Sequence, residues 1–335
     1  MADVAAAAGV TKITVSRYLR QPAKVAAGTA AAIDKALAAT GYLPNKQAGA
    51  LAGVGGAGIV AALIPSIANS IFAETVQGLA DGLAGSGHEL LLASTAYSVE
   101  REEAQLRALL GWFPSAVVVT GRRHTDAARA LLAQARARGT PVIEIWDHDA
   151  GAGPADAPTR IGFDHAEVGR AMAAHLVERG HKSLAYVDSG VAEDFRAHER
   201  GEGFMAEAKR LKVAARLVAA PGTEAIGAGR QALAALLDTK GKPTVAAAAF
   251  ANDHLACGAL LEARARKLDV PKQLALLGFG DFAIGRELTP ALSSVQVPRY
   301  EIGRAAAAAL RQALATGERT ADVALPWTLV ARAST

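Results

Sequence analysis

A chain of 335 residues that is 51% hydrophobic has room for two or three domains, each with its own core. Its one cysteine, Cys257, excludes an intramolecular disulfide. No apolar run is long enough to span a bilayer, and no basic segment followed by an apolar one marks a signal peptide, so the expected location is the cytoplasm, with no membrane partner. The net charge of +4 is unevenly placed: residues 1–56 hold six basic groups against two acidic ones, and the rest of the chain holds 30 of each. A small basic unit on a neutral body is the expected footprint of a head that binds a polyanion.

Asp3 to Tyr18, DVAAAAGVTKITVSRY, reads as helix, sharp turn, helix. Ala5 to Ala8 are strong helix formers, Gly9 suits the left-handed residue that ends a helix, and Thr11 is a good N-cap for the next one. Val4, Val10 and Val15 are spaced to share a small core. Lys12, Ile13, Thr14 and Arg17 then lie at the start and along one face of the second helix, where a recognition helix presents side chains to the major groove. The competing reading is an alanine-rich helical hairpin with no partner. Pro22 to Val25 is expected to be a loop and Thr29 to Thr40 a third helix, with Ile33, Ala36 and Leu37 on one face. Gly41-Tyr42-Leu43-Pro44-Asn45 is a stop signal, Lys46 to Ala52 a short, weakly helical piece, and Gly53 to Gly58 a flexible linker. That linker spells G-x-G-x-x-G, but it precedes a strand instead of opening a helix, so the match is treated as chance.

From Ile59 onward strands and helices alternate. Apolar strands are expected at 59–65, 89–94, 116–120 and 142–147, with helices near 70–85, 99–111 and 125–138. A second set has strands at 160–164, 184–189, 215–221, 245–252 and 274–281, with helices near 165–179, 197–211, 225–238 and 253–267. The tail holds a strand at 292–298, a helix at 299–316 and a strand at 323–331. Continuous apolar strands between helices imply parallel sheets covered on both faces, so the expected fold is α/β with two doubly wound lobes behind a three-helix head. In open α/β sheets ligands bind beyond the carboxyl ends of the strands, which with two lobes makes an interlobe cleft.

The strand ends supply the candidates. Ser66, Asn69 and Phe72 follow the first strand, Arg122, Arg123 and His124 the third, and Trp146-Asp147-His148 end the fourth. Phe163-Asp164-His165 follow the fifth, Arg196 and Arg200 precede Gly203-Phe204, and Asn252-Asp253 and Gly280-Asp281 close two strands of the second set. Plainer roles compete: Asp164 and Asp253 are good helix caps, Phe72 is a candidate core residue, and His124 and the arginine pair fit a solvated loop. No G-x-S-x-G, Walker motif or metal-ligand spacing is present, so an enzyme is not expected and no cofactor or metal is implied.

The pattern DVA..AGV....TVSR, then V....T, then GY.PN..A..LA, resembles the DNA-binding head and hinge of the lactose-repressor (LacI/GalR) family over about the first 53 residues. The resemblance implies a transcriptional repressor with a helix-turn-helix domain at 1–45 and a hinge helix and linker at 46–58. It further implies a periplasmic-binding-protein-like core, with an N-terminal lobe of 59–161 plus 292–320 and a C-terminal lobe of 162–291 plus 321–332. It places DNA contacts on Thr11, Lys12, Ile13, Thr14, Arg17, Tyr42, Asn45, Lys46, Ala48 and Leu51, with Leu51 wedging into the minor groove at the dyad of a pseudo-palindromic double-stranded operator bound by a homodimer. By motif position Asp147, Arg200 in R..GF and Asn252 in ANDxLA match residues that hold sugar hydroxyls in this family, and Phe72 resembles its apolar wall. One departure stands out: Gly278-Phe279-Gly280-Asp281 replaces the family's usual GYDD or GFDD, so a ligand-bonding carboxylate is missing. PSIANSIFAE, TGRRHT, EIWD, IGFD and GFGDFAIG look similar to the gluconate-operon repressors of the family. The expected effector is therefore gluconate or a close sugar acid. Its carboxylate is expected near Arg122, Arg123 and His124, with Ser66, Asn69, Phe72, Asp147, Arg200, Asn252 and Asp281 completing the site. A neutral-sugar repressor and a periplasmic-type sugar-binding protein are the alternatives; the second needs a signal peptide and no basic head.

Overall fold

The apolar runs of the body become the strands of two sheets, because a strand covered by helices on both faces has no solvent side towards which to alternate. The computed structural model describes residues 1–42, 58–67, 70–149, 157–222 and 225–335, in two compact units, Met1–Ala57 and Gly58–Thr335. The first unit holds α1 (Ala2–Ala7), α2 (Lys12–Arg20), a 3₁₀ turn at Pro22–Lys24 where a loop was expected, and α3 (Ala27–Thr40).

The second unit contains two six-stranded sheets among its described residues. One has the order β11-β5-β4-β3-β1-β2, built from β1 (Ile59–Ile64), β2 (Glu89–Ser94), β3 (Ala116–Thr120), β4 (Val142–Asp147), β5 (Thr159–Phe163) and β11 (Val323–Ala324), all parallel. The other has the order β12-β10-β9-β8-β6-β7, from β6 (Ser183–Asp188), β7 (Ala214–Ala219), β8 (Ala247–Phe250), β9 (Ala275–Phe279), β10 (Ser293–Gln296) and β12 (Thr328–Val330), with only β12 antiparallel to its neighbour. The first lobe carries α4 (Ser70–Leu83), α5 (Val99–Leu110), α6 (Asp126–Ala137) and α12 (Arg299–Thr316). The second carries α7 (His165–Glu178), α8 (Phe195–Arg210), α9 (Ala225–Ala234), α10 (Asp253–Ala265) and the short α11 (Ala283–Glu287).

Helix pairs on the lobes meet through glycine. A Cβ on Gly303 of α12 would lie 2.0 Å from the Thr75 carbonyl oxygen of α4, and one on Gly169 of α7 would lie 1.9 Å from the Arg200 carbonyl oxygen of α8. The second contact sets the position of α8, and with it the arginines that α8 presents.

The lobe boundaries differ from those expected. β5 pairs with β4, Thr159 opposite Ile143, so it belongs to the first sheet and the chain crosses over only at α7. β10 pairs with β9, Ser293 opposite Leu277, so it belongs to the second lobe, and the return to the first begins with α12. The strand expected at 323–331 is two strands in different sheets, β11 and β12, separated by a segment containing Pro326, which has no N–H to offer a ladder. An apolar run declares that it is a buried strand but not which sheet it joins.

Candidate functional site

In the N-terminal unit, Gly9 takes φ +64° and ends α1, and Thr11 Oγ1 accepts a hydrogen bond from the Thr14 backbone N–H at 3.2 Å to start α2. Val4, Val15 and Ile33 are fully buried, with Val10, Leu19, Leu37 and Tyr42 packed around them. The Tyr18 hydroxyl donates to Asp34 at 2.6 Å and ties α2 to α3. This core fixes the outer face of α2. Lys12 and Arg17 are exposed there, Thr14 is half-buried beside Thr11, and Ile13 is 70% exposed although it is a large apolar residue. Of the other expected DNA contacts, Tyr42 packs on the head's core, while Asn45, Lys46, Ala48 and Leu51 lie outside the described residues.

In the second unit the carboxyl ends of both sheets face a cleft lined from both lobes. Its lining includes Phe72, Tyr97, Gly121, Trp146, Asp147, His165, Asp194, Arg196, Arg200, Asn252 and Phe279. Phe72 and Trp146 meet edge to face at 5.4 Å, and Trp146 and Phe163 at 6.0 Å, forming an apolar wall. Arg200 on α8 is 4% exposed. Its guanidinium lies 3.8 Å over the Phe279 ring, donates to the Ala251 carbonyl at 2.8 Å and meets His165 Nδ1 at 2.9 Å. Arg196, one helical turn earlier, crosses to the first lobe. A Cβ on Gly121 would lie 2.6 Å from its Nη1, so only glycine lets the guanidinium lie against the end of β3. Arg196 also faces the Phe72 ring at 5.9 Å and forms no hydrogen bond with the described residues. Neither arginine has a carboxylate oxygen within salt-bridge distance among those residues.

Asp147 is buried, accepts the Arg122 backbone N–H on Oδ2 at 3.1 Å, and leaves Oδ1 without a hydrogen bond among the described residues, 3.6 Å from His165 Nε2. Burial raises its pKa, against the pull of nearby Arg196. Trp146 Nε1 and Arg200 Nε are likewise buried without hydrogen bonds. An acceptor and two donors on cleft residues therefore lack hydrogen bonds among the described residues, which fits a polyhydroxylated ligand better than an apolar one.

Of the remaining expected site residues, Arg122 and Arg123 line the same cleft beside Asp147 and Arg196, but acids engage both. Arg122 pairs with Asp149 at 2.8 Å and Glu199 at 3.2 Å, and Arg123 pairs with Glu199 at 3.0 Å and stacks over Phe195 at 5.0 Å. Both arginines of the first lobe are thus occupied by α8 of the second. His124 is buried between Glu102, itself a lining residue of the cleft, at 2.5 Å and Glu144 at 3.5 Å. Burial opposes its protonation, but the two carboxylates outweigh burial and push its pKa up to about 9. Asp281 is buried in pairs with Arg286 at 2.6 Å and Arg332 at 2.7 Å. Asn252 lines the cleft while its Oδ1 caps α10 through the Leu255 N–H. Ser66 follows cleft residue Pro65 and is half-buried; Asn69 lies outside the described residues. Arg196 and His165 entered the sequence reading only as neighbours of strand and helix ends, and Tyr97 and Glu199 not at all. The i, i+4 spacing of Arg196 and Arg200, which puts both on one face of α8, was the available signal.

Residues 1–45 match the model of bacterial regulatory proteins, lacI family, and residues 173–335 that of the periplasmic binding protein-like domain. The HTH-type transcriptional regulator GntR of Pseudomonas aeruginosa is 37% identical over 99% of this chain and 94% of its own length. The HTH-type transcriptional regulator IdnR of Escherichia coli is 32% identical over 91% and 89%. The chain belongs to the LacI family. A solved LacI-family transcriptional regulator from Silicibacter pomeroyi superposes with a TM-score of 0.89 at 32% identity, covering 99% of this chain and 98% of that one. As a LacI-family member the protein is a DNA-binding transcriptional regulator and not an enzyme, with a helix-turn-helix head and a periplasmic-binding-protein-like core. Among its described residues no helix is long and apolar enough to cross a membrane.

Proposed function

We propose that this regulator is a repressor that binds a pseudo-palindromic operator as a homodimer and is released from it by gluconate or a close sugar acid held in the interlobe cleft. One observation carries the effector: two buried guanidinium groups, Arg196 and Arg200, face the same cleft without a carboxylate partner among the described residues. A buried cation is costly unless it is paired, and charge-assisted bonds to a ligand carboxylate would pair it. The carboxylate therefore belongs with Arg196 and Arg200 in place of Arg122, Arg123 and His124. Asp147 and Asn252 take hydroxyls, and Phe72, Trp146 and Phe279 cover the carbon chain. The missing carboxylate at Gly280 and the likeness to GntR regulators support the same ligand class.

A ligand held by residues of both lobes would favour the arrangement in which they close on it. Operator affinity changes only as far as the ligand's affinities for the two arrangements differ. The experiment is calorimetry with gluconate, neutral gluconamide and glucose on the wild type and Arg196→Met, beside operator binding with each ligand present. Gluconate should bind the wild type at least about tenfold better than gluconamide, and Arg196→Met should lose most of that preference, as expected for a charge-assisted bond of ~1.5–3 kcal/mol. Equal binding of glucose and gluconate, or a preference untouched by Arg196→Met, overturns the sugar-acid reading. Tighter operator binding with gluconate overturns the sign of the response.

A further inference from the structure

Arg200 is held by two acceptors of different kinds. One is the Ala251 carbonyl at the end of β8, in its own lobe; the other is His165 Nδ1, where the chain crosses from the first sheet into α7. The imidazole is buried, packed at 4.6 Å from the Phe163 ring and 6.2 Å from the Phe279 ring, and its Nε2 lies 3.0 Å from the Trp146 carbonyl of β4. A carbonyl can only accept, so Nε2 carries the proton and donates to Trp146. Nδ1 is then the lone-pair nitrogen and accepts from Arg200 Nη1. Both bonds exist together only for the neutral ring in this one tautomer. Burial and the neighbouring Arg200 and Arg196 hold the His165 pKa well below its usual value, in agreement with that assignment.

We propose that His165 is a positioning residue of the effector site, which aims Arg200 at an anionic ligand and ties that aim to the first lobe through the Trp146 carbonyl. The inference rests on the sugar-acid reading and deepens it. Arg200 Nε has no hydrogen bond among the described residues, and its Nη1 and Nη2 are spent on His165 and Ala251. The guanidinium therefore cannot swing without breaking a bond on each side, and its face is fixed by Phe279. Without His165 Nδ1 the Ala251 carbonyl and the Phe279 ring remain, and the guanidinium could pivot across the face of that ring about its one remaining hydrogen bond. A ligand carboxylate would then meet a guanidinium that must be oriented at the moment of binding, at an entropic cost.

The test compares gluconate and gluconamide affinities, by calorimetry, for the wild type, His165→Phe and His165→Asn. Phenylalanine keeps a ring against Phe163 and Phe279 but offers Arg200 no acceptor, whereas asparagine places its amide oxygen near the Nδ1 position. His165→Phe should lose about 5- to 100-fold in gluconate affinity with gluconamide affinity little changed, and His165→Asn should recover most of the loss. If the phenylalanine variant does not fold, His165→Gln serves, because its amide reaches the Nε2 position and leaves Arg200 without its acceptor. Loss of both ligands in parallel, a gluconate preference that survives in His165→Phe or His165→Gln, or no rescue by asparagine overturns the positioning role while leaving the sugar-acid reading intact. A wild type that does not prefer gluconate overturns both.

Discussion

Replacing His124 with glutamine should destabilise the core at pH 6 and have almost no effect on it at pH 9.5. His124 is buried between Glu102 and Glu144, and its pKa stands at about 9 against the ordinary 6.5. At 1.36 kcal/mol per pH unit that rise corresponds to about 3 kcal/mol in favour of the folded state. The sign follows from the direction of the change. Below pH 6.5 the folded and unfolded chains both carry the proton, and the stabilisation is complete. Between pH 6.5 and 9 the unfolded chain releases the proton while the folded one keeps it, so stability falls as pH rises. Above the folded pKa the contribution is gone. His165, His175 and His181, whose pKa values are lowered, act instead below pH 6.5. All three tryptophans, Trp112, Trp146 and Trp327, lie in the core unit, so urea unfolding followed by fluorescence reports on that unit. The stability gap between wild type and His124→Gln should close by about 3 kcal/mol from pH 6 to pH 9.5. A gap constant to within about 0.5 kcal/mol over that range would refute the buried charged triad, since a purely steric role of the ring has no reason to titrate.

Gly303→Ala should lower core stability by about 1–3 kcal/mol or more in the same assay, because its Cβ would fall 2.0 Å from the Thr75 carbonyl and force α4 and α12 apart; an unchanged midpoint would show that the helices do not cross there. Thr11→Ala should cost the head about 1 kcal/mol by removing the cap on the Thr14 N–H, read as a lower thermal midpoint of head helicity. Arg17→Ala should relax base preference at one operator position by about 1–3 kcal/mol in a binding-site selection, and an unchanged preferred sequence would remove Arg17 from base reading.

Most elements were legible because two strong signals agreed along the body. Apolar runs such as Ala116–Thr120 appear within a residue or two of where the pattern put them, and the caps Thr11 and Asp164 mark helix starts by side-chain hydrogen bonds, although Asn252 and not Asp253 caps its helix. What the pattern does not carry is sheet membership. β5 and β6 are both short apolar strands followed by helices, yet one belongs to the first sheet and the other to the second. The difference is made by long-range pairing, Thr159 with Ile143 and Ser183 with Ala214, and pairing partners leave no trace in local periodicity.

The site was harder to read for a different reason. A basic pair at a strand end, Arg122-Arg123, looks like an anion site because its partners are invisible in the sequence. The acid that engages both arginines, Glu199, is some 76 residues away on α8. Once Glu199 and Asp149 are in place, the pair is a fastening between lobes, and a ligand carboxylate would have to displace acids already bonded there. Arg196 and Arg200 look the opposite way round in the sequence. They sit in FRAHERGEGF beside Glu199 and Glu202, as if already paired within their own helix. Helical geometry turns Arg200 away: residues three or four apart share a face, adjacent ones do not, so Arg200 and Glu199 diverge. Glu199 goes to the rim with Arg122 while Arg200 goes inward to Phe279. The same turn of α8 therefore supplies both the acid that engages the rim arginines and an inner arginine with no carboxylate partner among the described residues.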